Sequence, residues 1–435
     1  MMSFENTFCP SPWFHMRINN SGSYEYCRWQ AKSGSTETRI NFDHNIRSQS
    51  PLQYFRQVMS PIREAMLQGT PPSACSDCHV MEQHHKTSGR QRQLLKVGVQ
   101  TSNFAKTMLS SPMLPDFKHS ENSQGSTGRT VSDWQIDLGN FCNSACVFCN
   151  PESSSRIATE FKRIGMIDQV PAANWCEDPE SLARFVDDLV QCQDIRYLHF
   201  IGGETLITPG FVKILEAVIA AGLAQDITVG FTTNLTVWDD HVIDLLTQFH
   251  QVNLGMSVEA LDPVNDYVRW PGILSTTCEL LDRWVAVAQA HDWLIQLRIT
   301  PTCLTIHRLT TVYDYAWQHN LAVESCNFLT DPEFLRISVL PKDQRDIIGD
   351  QLQIWIDQHP VHSGSQVINT RDPHRAREQI VQDAASYVHL LTHVEDESHR
   401  LPDLVNYLKR LEASRGNSVL DYVPEYESFL RSAGL

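Results

Sequence analysis

The sequence predicts an α/β protein built on a partial (β/α)6 TIM-like barrel. Two observations lead there. Six short runs rich in β-branched and aromatic residues recur between Asp133 and Leu340, and helical patterns fall between them. Strands that alternate with helices imply a parallel sheet, because each crossover has to carry the chain back to the same end. Six units fall short of the eight that close a full barrel. The regions on either side differ in character: the first is rich in cysteine and turns, and the last is mostly helical.

The expected strands are Trp134–Leu138, Tyr197–Ile201, Ile227–Thr232, Val252–Val258, Ile295–Thr300 and Glu324–Phe328. The expected helices are Ser181–Gln191, Gly210–Ala221, Asp239–Phe249, Thr276–Ala290 and Arg308–His319, each with apolar residues at helical spacing. Ahead of them, Leu52 to Leu67 reads as an amphipathic helix, with Phe55, Val58, Ile62 and Met66 near one face. Ser110 to Ser132 is rich in Ser, Asn, Gly and His and reads as a linker or long loop. After Pro341, one face carries Ile348, Leu352 and Trp355, another Ile380, Ala384, Val388 and Leu391, and a third Leu404, Leu408 and Leu411. Gly416 fits a helix C-cap. The expected domains are therefore 1–109, a linker 110–132, the barrel 133–340 and the helical extension 341–435.

Of the 435 residues, 42% are hydrophobic, which is ample for a buried core. The formal net charge of −16 repels phosphate backbones, so no nucleic-acid partner is expected. No apolar run reaches spanning length, since Lys213 and Glu216 interrupt the most apolar helix, so no membrane partner is expected either. Met1 to Trp13 lacks a basic stretch followed by an apolar one, and a cytoplasmic location is the expectation. In a reducing compartment the 12 cysteines are not a disulfide framework, so their grouping carries the information.

Seven of them form two groups. Cys142, Cys146 and Cys149 lie within eight residues, directly after the first expected barrel strand. Thiolates are soft ligands suited to iron–sulfur clusters, and three of them on a short loop can hold three corners of a cubane. The fourth iron then keeps an open position for substrate, as catalytic zinc does. A zinc site, or three incidental thiols, are the other readings. The second group is Cys9, followed by Pro-Ser-Pro-Trp13, then Cys27, then Cys75 and Cys78. Four thiolates can close a [4Fe–4S] cluster or a structural zinc site. The remaining five, among them Cys303 and Cys326, are scattered.

The spacing Cys-x3-Cys-x2-Cys, with Phe148 before the last cysteine, resembles the radical S-adenosylmethionine (radical SAM) superfamily. That resemblance implies a [4Fe–4S] cluster that binds S-adenosyl-L-methionine and cleaves it to a 5′-deoxyadenosyl radical, which takes hydrogen from a substrate carbon. Gly202, Gly203 and Glu204 look like the superfamily's motif for the methionine ammonium. Asn234, in Thr-Thr-Asn-Leu, is similar to a Thr-Asn-Gly segment, with Leu235 in place of the glycine. Ser257 and Glu259 match a segment that contacts ribose hydroxyls, and Arg298 suits the cofactor carboxylate. Each also has a plain structural reading.

The N-terminal pattern, with Gly22 five residues before Cys27 and with Glu82, Ser88 and Arg90 after the last Cys-x-x-Cys, resembles SPASM and twitch auxiliary-cluster modules. It precedes the barrel here, whereas it usually follows. The resemblance implies a partial (β/α)6 TIM-like barrel with an N-terminal cysteine-rich auxiliary-cluster module and a helical C-terminal extension, with a second auxiliary [4Fe–4S] cluster in that module. It also implies a peptide or small-molecule substrate and a reducing partner such as flavodoxin or ferredoxin. Cys303 and Cys326, near expected strand ends, are candidate hydrogen donors for a substrate radical. The alternatives are small-molecule chemistry, or electron transfer without radical activity. The segment Pro424 to Leu430 resembles one found in twitch-type proteins and carries no assigned role.

Overall fold

A computed structural model describes residues 5–27, 44–83, 88–171, 174–325, 329, 331–361 and 373–435. The chain divides into two compact units. One comprises Met1–Asn140, Ala172–Gly230 and His241–His250, and the other Phe141–Pro171, Phe231–Asp240 and Gln251–Leu435. The fold is mixed α/β, with eight strands among the described residues.

In the first unit, β1 (His15–Ile18) pairs antiparallel with β2 (Tyr24–Glu25) and parallel with β3 (Asp133–Asp137), and β3 pairs parallel with β4 (Tyr197–Ile201). Gly22 makes the β1–β2 turn at φ +88°, where a Cβ would lie 2.7 Å from Ile46 Cγ2. Every residue of β3 is buried. Its two aspartates are matched: His15 Nδ1 lies 3.2 Å from Asp133, and Arg17 joins Asp137 on β3 to Glu25 on β2. Neither β1 nor β2 was expected. His15-Met-Arg-Ile alternates polar and apolar over only four residues in a turn-rich stretch, which gives a weak strand signal.

The stretch 110–132 is not a linker. Helix Leu114–Asn122 buries Phe117 and Ser120. Phe117 sits in an apolar cluster with Phe8, Trp13, Met66, Leu94 and Phe104, edge-on to Phe8 and Trp13 at 5.1 Å each. Polar composition hid a helix that needs only one apolar stripe. The helix expected over Leu52–Leu67 is broken into Pro51–Gln53, a π-helical turn Tyr54–Val58 and Ser60–Leu67. Pro61, lacking an N–H, falls in the first turn of the last piece.

β5 (Thr228–Thr233) runs from one unit into the other. In the second unit, β6 (Gln251–Ser257), β7 (Leu294–Ile299) and β8 (Ala322–Ser325) are parallel, with Ser257 opposite Arg298 and Arg298 opposite Glu324. Helices Leu274–His291 and Leu309–His319 cross between them and end on left-handed Asp292 and Asn320. All six expected barrel strands are present, each starting within two residues of its expected position; the end of the last one, 326–328, lies outside the described residues. The C-terminal part is helical as expected, with Lys342–Gln358, Pro373–His393 and Leu401–Arg415, and the last closes on Gly416 at φ +75°. Among the described residues, no helix is long and apolar enough to cross a membrane.

Candidate cluster and cofactor sites

In the first unit, Cys9, Cys27, Cys75 and Cys78 line one cavity, together with Tyr26 and Arg90. Three separate segments deliver them, and polar contacts fix those segments. Arg90 grips Glu82 through two nitrogens at 2.9 and 2.6 Å and donates to the Phe8 carbonyl at 3.1 Å, next to Cys9. Ser88 also donates to Glu82 and caps helix Gly89–Lys96. Tyr26 Oη lies 3.8 Å from Cys75 Sγ. Burial raises the Cys9 thiol, and the negative charges of Cys27, Cys75 and Cys78 add to the effect. Burial pushes Cys75 up to about 11. Burial also raises Cys78, against the pull of backbone N–H groups of Arg90 and Gly89. Buried thiols that disfavour one another's ionisation suit a multivalent cation, which takes them as thiolates and releases their protons. Among the described residues, no three His, Cys, Asp or Glu side chains could hold a single metal ion.

Also in the first unit, β4 ends on Gly202 at φ +140°, where a Cβ would come within 2.6 Å of the Gly139 carbonyl oxygen, so only glycine fits. The Gly203 N–H donates to that same oxygen at 2.9 Å. Glu204 is 1% exposed and accepts from the Leu206 N–H at 3.2 Å.

The second unit holds the three-cysteine loop. Two backbone bonds clip it to the segment after β6: Ala145 N–H to Trp270 O and Val147 N–H to Val268 O, both 2.7 Å. Asn234 Nδ2 donates to Asn143 Oδ1 at 2.8 Å and Ser144 Oγ at 3.1 Å, and lies 4.0 Å from Cys142 Sγ. Asn234 thus belongs to the loop's support. Leu235, where the resemblance expects a glycine, sits at φ +59° and fully buried, a left-handed geometry that costs a non-glycine residue about 1–2 kcal/mol. Burial raises the Cys149 thiol, and the charges of Cys146 and Cys142 raise it further, so the Cys149 sulfur lies within electrostatic reach of the other two.

Glu259 does not present a free carboxylate to a ribose. It is 3% exposed; Oε1 accepts from Arg269 Nη1 at 2.9 Å and Oε2 from the Thr300 N–H at 2.6 Å. Arg298 is likewise engaged: its Nη2 lies 2.9 Å from Glu324 Oε2, which also accepts from Gln296 Nε2 at 2.6 Å. Ser257 stands beside Arg298 in register. On this strand face, Thr232 Oγ1, Asn253 Oδ1, Gln296 Oε1 and Arg298 Nε are buried without a hydrogen-bond partner. Cys303 is 1% exposed, its Sγ 3.8 Å from the Phe334 carbonyl, and burial raises its thiol. Cys326 lies outside the described residues.

Two groups of residues escaped sequence reasoning. Arg269 is a buried guanidinium whose charge opposes the effect of burial on Cys146. The only hint of it was a lone charge in the apolar run Tyr267-Val-Arg-Trp270. Tyr407 and Arg415, on helix Leu401–Arg415, donate to the Val147 and Ala145 carbonyls at 2.7 and 2.8 Å. Their partners are more than 250 residues away in the sequence, so no local pattern marks them.

Comparison with known proteins agrees with the motif reading. Residues 136–306 match the model of the Radical SAM superfamily. The GTP 3′,8-cyclase of Streptomyces coelicolor is 30% identical over 98 residues, covering 21% of this chain and 24% of that protein. Among solved structures, Streptococcus suis SuiB is 13% identical, with a TM-score of 0.34, over 69% of this chain and 62% of that one. The structure of anSMEcpe with bound AdoMet is 15% identical, with a TM-score of 0.36, over 52% and 60%.

Proposed function

We propose that the protein is a radical SAM enzyme that reductively cleaves S-adenosylmethionine and abstracts hydrogen from a carbon of a peptide or amino-acid-derived substrate. The observation that carries this reading is the three-thiol loop, Cys142, Cys146 and Cys149, lying within the segment that matches the superfamily. When bound there, a [4Fe–4S] cluster supplies the electron that splits the sulfonium. The chain's own residues hold the loop: Asn234, just after β5, and the carbonyls of Val268 and Trp270. Arg269, buried beside Cys146, offsets thiolate charge. Gly202, Gly203 and Glu204 are our candidates for the methionine ammonium, and Ser257 for the nucleoside.

Cys9, Cys27, Cys75 and Cys78 are proposed to hold a second [4Fe–4S] cluster. Their shared cavity supports this reading. Cys303 and Cys326 remain candidate hydrogen donors. A soluble reductant of flavodoxin or ferredoxin type supplies the electron, and we place the reaction in the cytoplasm. The unpaired Gln296 and Asn253 oxygens and the Arg298 Nε–H suit an amide, which offers both an N–H and a carbonyl.

A second reading, a nucleotide or other small-molecule substrate, is favoured by the likeness to the cyclase, because a guanine edge offers the same groups. The test is anaerobic reconstitution followed by dithionite and S-adenosylmethionine. About eight irons per chain and the appearance of 5′-deoxyadenosine support the reading. A fully reconstituted chain that forms no 5′-deoxyadenosine fits an electron-transfer protein instead. Deuterium transfer into 5′-deoxyadenosine from a labelled peptide, or from labelled GTP, separates the two substrate classes.

A further inference from the structure

The C-terminal helix Leu401–Arg415 carries no motif, yet two of its side chains end on the cysteine loop. Tyr407 Oη donates to the Val147 carbonyl at 2.7 Å and Arg415 Nη2 to the Ala145 carbonyl at 2.8 Å. These carbonyls flank Cys146. The N–H groups of the same two residues are taken by Val268 and Trp270, so the residues on both sides of the middle cysteine are each held through N–H and carbonyl.

Arg415 is itself held in place. Its side chain is 0% exposed. Glu160 accepts from Nε at 3.0 Å and from Nη2 at 2.6 Å, and the guanidinium lies 5.1 Å from the centre of the Trp270 ring. Ser414 also donates to Glu160, at 2.7 Å. This leaves Arg415 Nη1, which is buried and has no hydrogen-bond partner. A buried guanidinium donor is costly to leave unmade. Its positive charge is felt at Cys146.

We infer that Tyr407 and Arg415 are positioning residues for the cluster loop, and that the unpaired Nη1–H of Arg415 serves the sulfur of a bound cluster and raises its reduction potential. This rests on the reading of Cys142, Cys146 and Cys149 as cluster ligands. Cationic N–H donors near cluster sulfur stabilise the reduced, more negative state. Hydrogen bonds to the two carbonyls keep the ligand spacing fixed in the empty protein, so that cluster loading does not have to order the loop. The helical extension is thereby part of the redox site.

The test uses the full chain, reconstituted anaerobically, as wild type, Arg415→Gln, Arg415→Lys and Tyr407→Phe. Two quantities are read: the midpoint potential of the paramagnetic signal that S-adenosylmethionine perturbs, and the rate at which a chelator strips iron from that site. Arg415→Gln is expected to move the midpoint to a more negative potential and to speed iron loss about three- to tenfold, the effect of one lost hydrogen bond. Arg415→Lys keeps the charge, so its midpoint stays nearer wild type while iron loss quickens. Tyr407→Phe speeds iron loss and leaves the midpoint unchanged. If Arg415→Gln fails to fold, the lysine and phenylalanine variants still decide the matter through iron loss. Midpoints and stripping rates equal to wild type in every folded variant overturn the inference. A wild-type chain that takes up no cluster at the three-thiol loop overturns the underlying reading instead.

Discussion

The two cysteine sets are built in opposite ways. The N-terminal four come from separate segments spread over 70 residues, and side-chain bonds such as Arg90 to Glu82 and Phe8 gather them. The mid-chain three come from one loop of eight residues, held largely through its backbone and through Asn234, Tyr407 and Arg415. Four thiols can saturate a cubane, whereas three leave one metal corner to a substrate. The first arrangement therefore suits a cluster that only relays electrons or braces the fold, and the second suits chemistry at the metal.

The sharpest way to break this contrast is to remove one thiol from each set. Cys146→Ala is expected to lower 5′-deoxyadenosine formation at least about a thousandfold, roughly 4 kcal/mol in activation barrier, while about four irons remain. Cys75→Ala is expected to lose about four irons yet still cleave S-adenosylmethionine at a measurable rate. Iron assay and product chromatography check both, and equal behaviour of the two variants would erase the distinction.

A milder change separates the ways the sets are held. Arg90→Met leaves the Glu82 carboxylate unpaired beside the four-thiol cavity and should cost about 3 kcal/mol, seen as a lower unfolding midpoint in denaturant. Iron should be lost first from the N-terminal site, with the signal perturbed by S-adenosylmethionine intact.

The smallest effect is in acid. Burial acts to raise Glu82, but its bonds to Arg90 and Ser88 outweigh that and hold it below the usual carboxylate range. Glu160 is held low in the same way by Arg415 and Ser414. A depressed carboxylate contributes stability that is present above its unfolded pKa and lost as pH falls through its folded value. Thermal stability of the apoprotein should thus be insensitive to these groups near neutrality and should fall below about pH 4.5. Glu82→Gln and Glu160→Gln should each flatten part of that fall, and a flattening by only one of them would show that the two sets rely on charge unequally.

Much of this was legible in the sequence for physical reasons. Tyr197–Ile201 is a short apolar run that ends on paired glycines, and it forms a strand with those boundaries. The cysteine spacing is local, so it survives any reading of the fold. Long-range pairing was hidden. Glu259 looked like a strand-end acid open to a ligand, until Arg269 and Thr300 were seen to occupy it. Arg298 looked solvent-facing or cofactor-facing, and its partner Glu324 belongs to the next strand. Helix Leu114–Asn122 was masked by its polar outer face, because one Phe117 was enough to bury it.

The pairing of β1 with β3 has a practical consequence. His15–Ile18 lies hydrogen-bonded along Asp133–Ile136 of β3, from His15 opposite Asp133 to Ile18 opposite Ile136. Trimming the polypeptide to begin at residue 110 or 133, as a minimal catalytic fragment, would strip that neighbour and bare a row of unsatisfied amides and carbonyls. Such a raw flank recruits another copy of itself, so the shortened product should precipitate rather than fold.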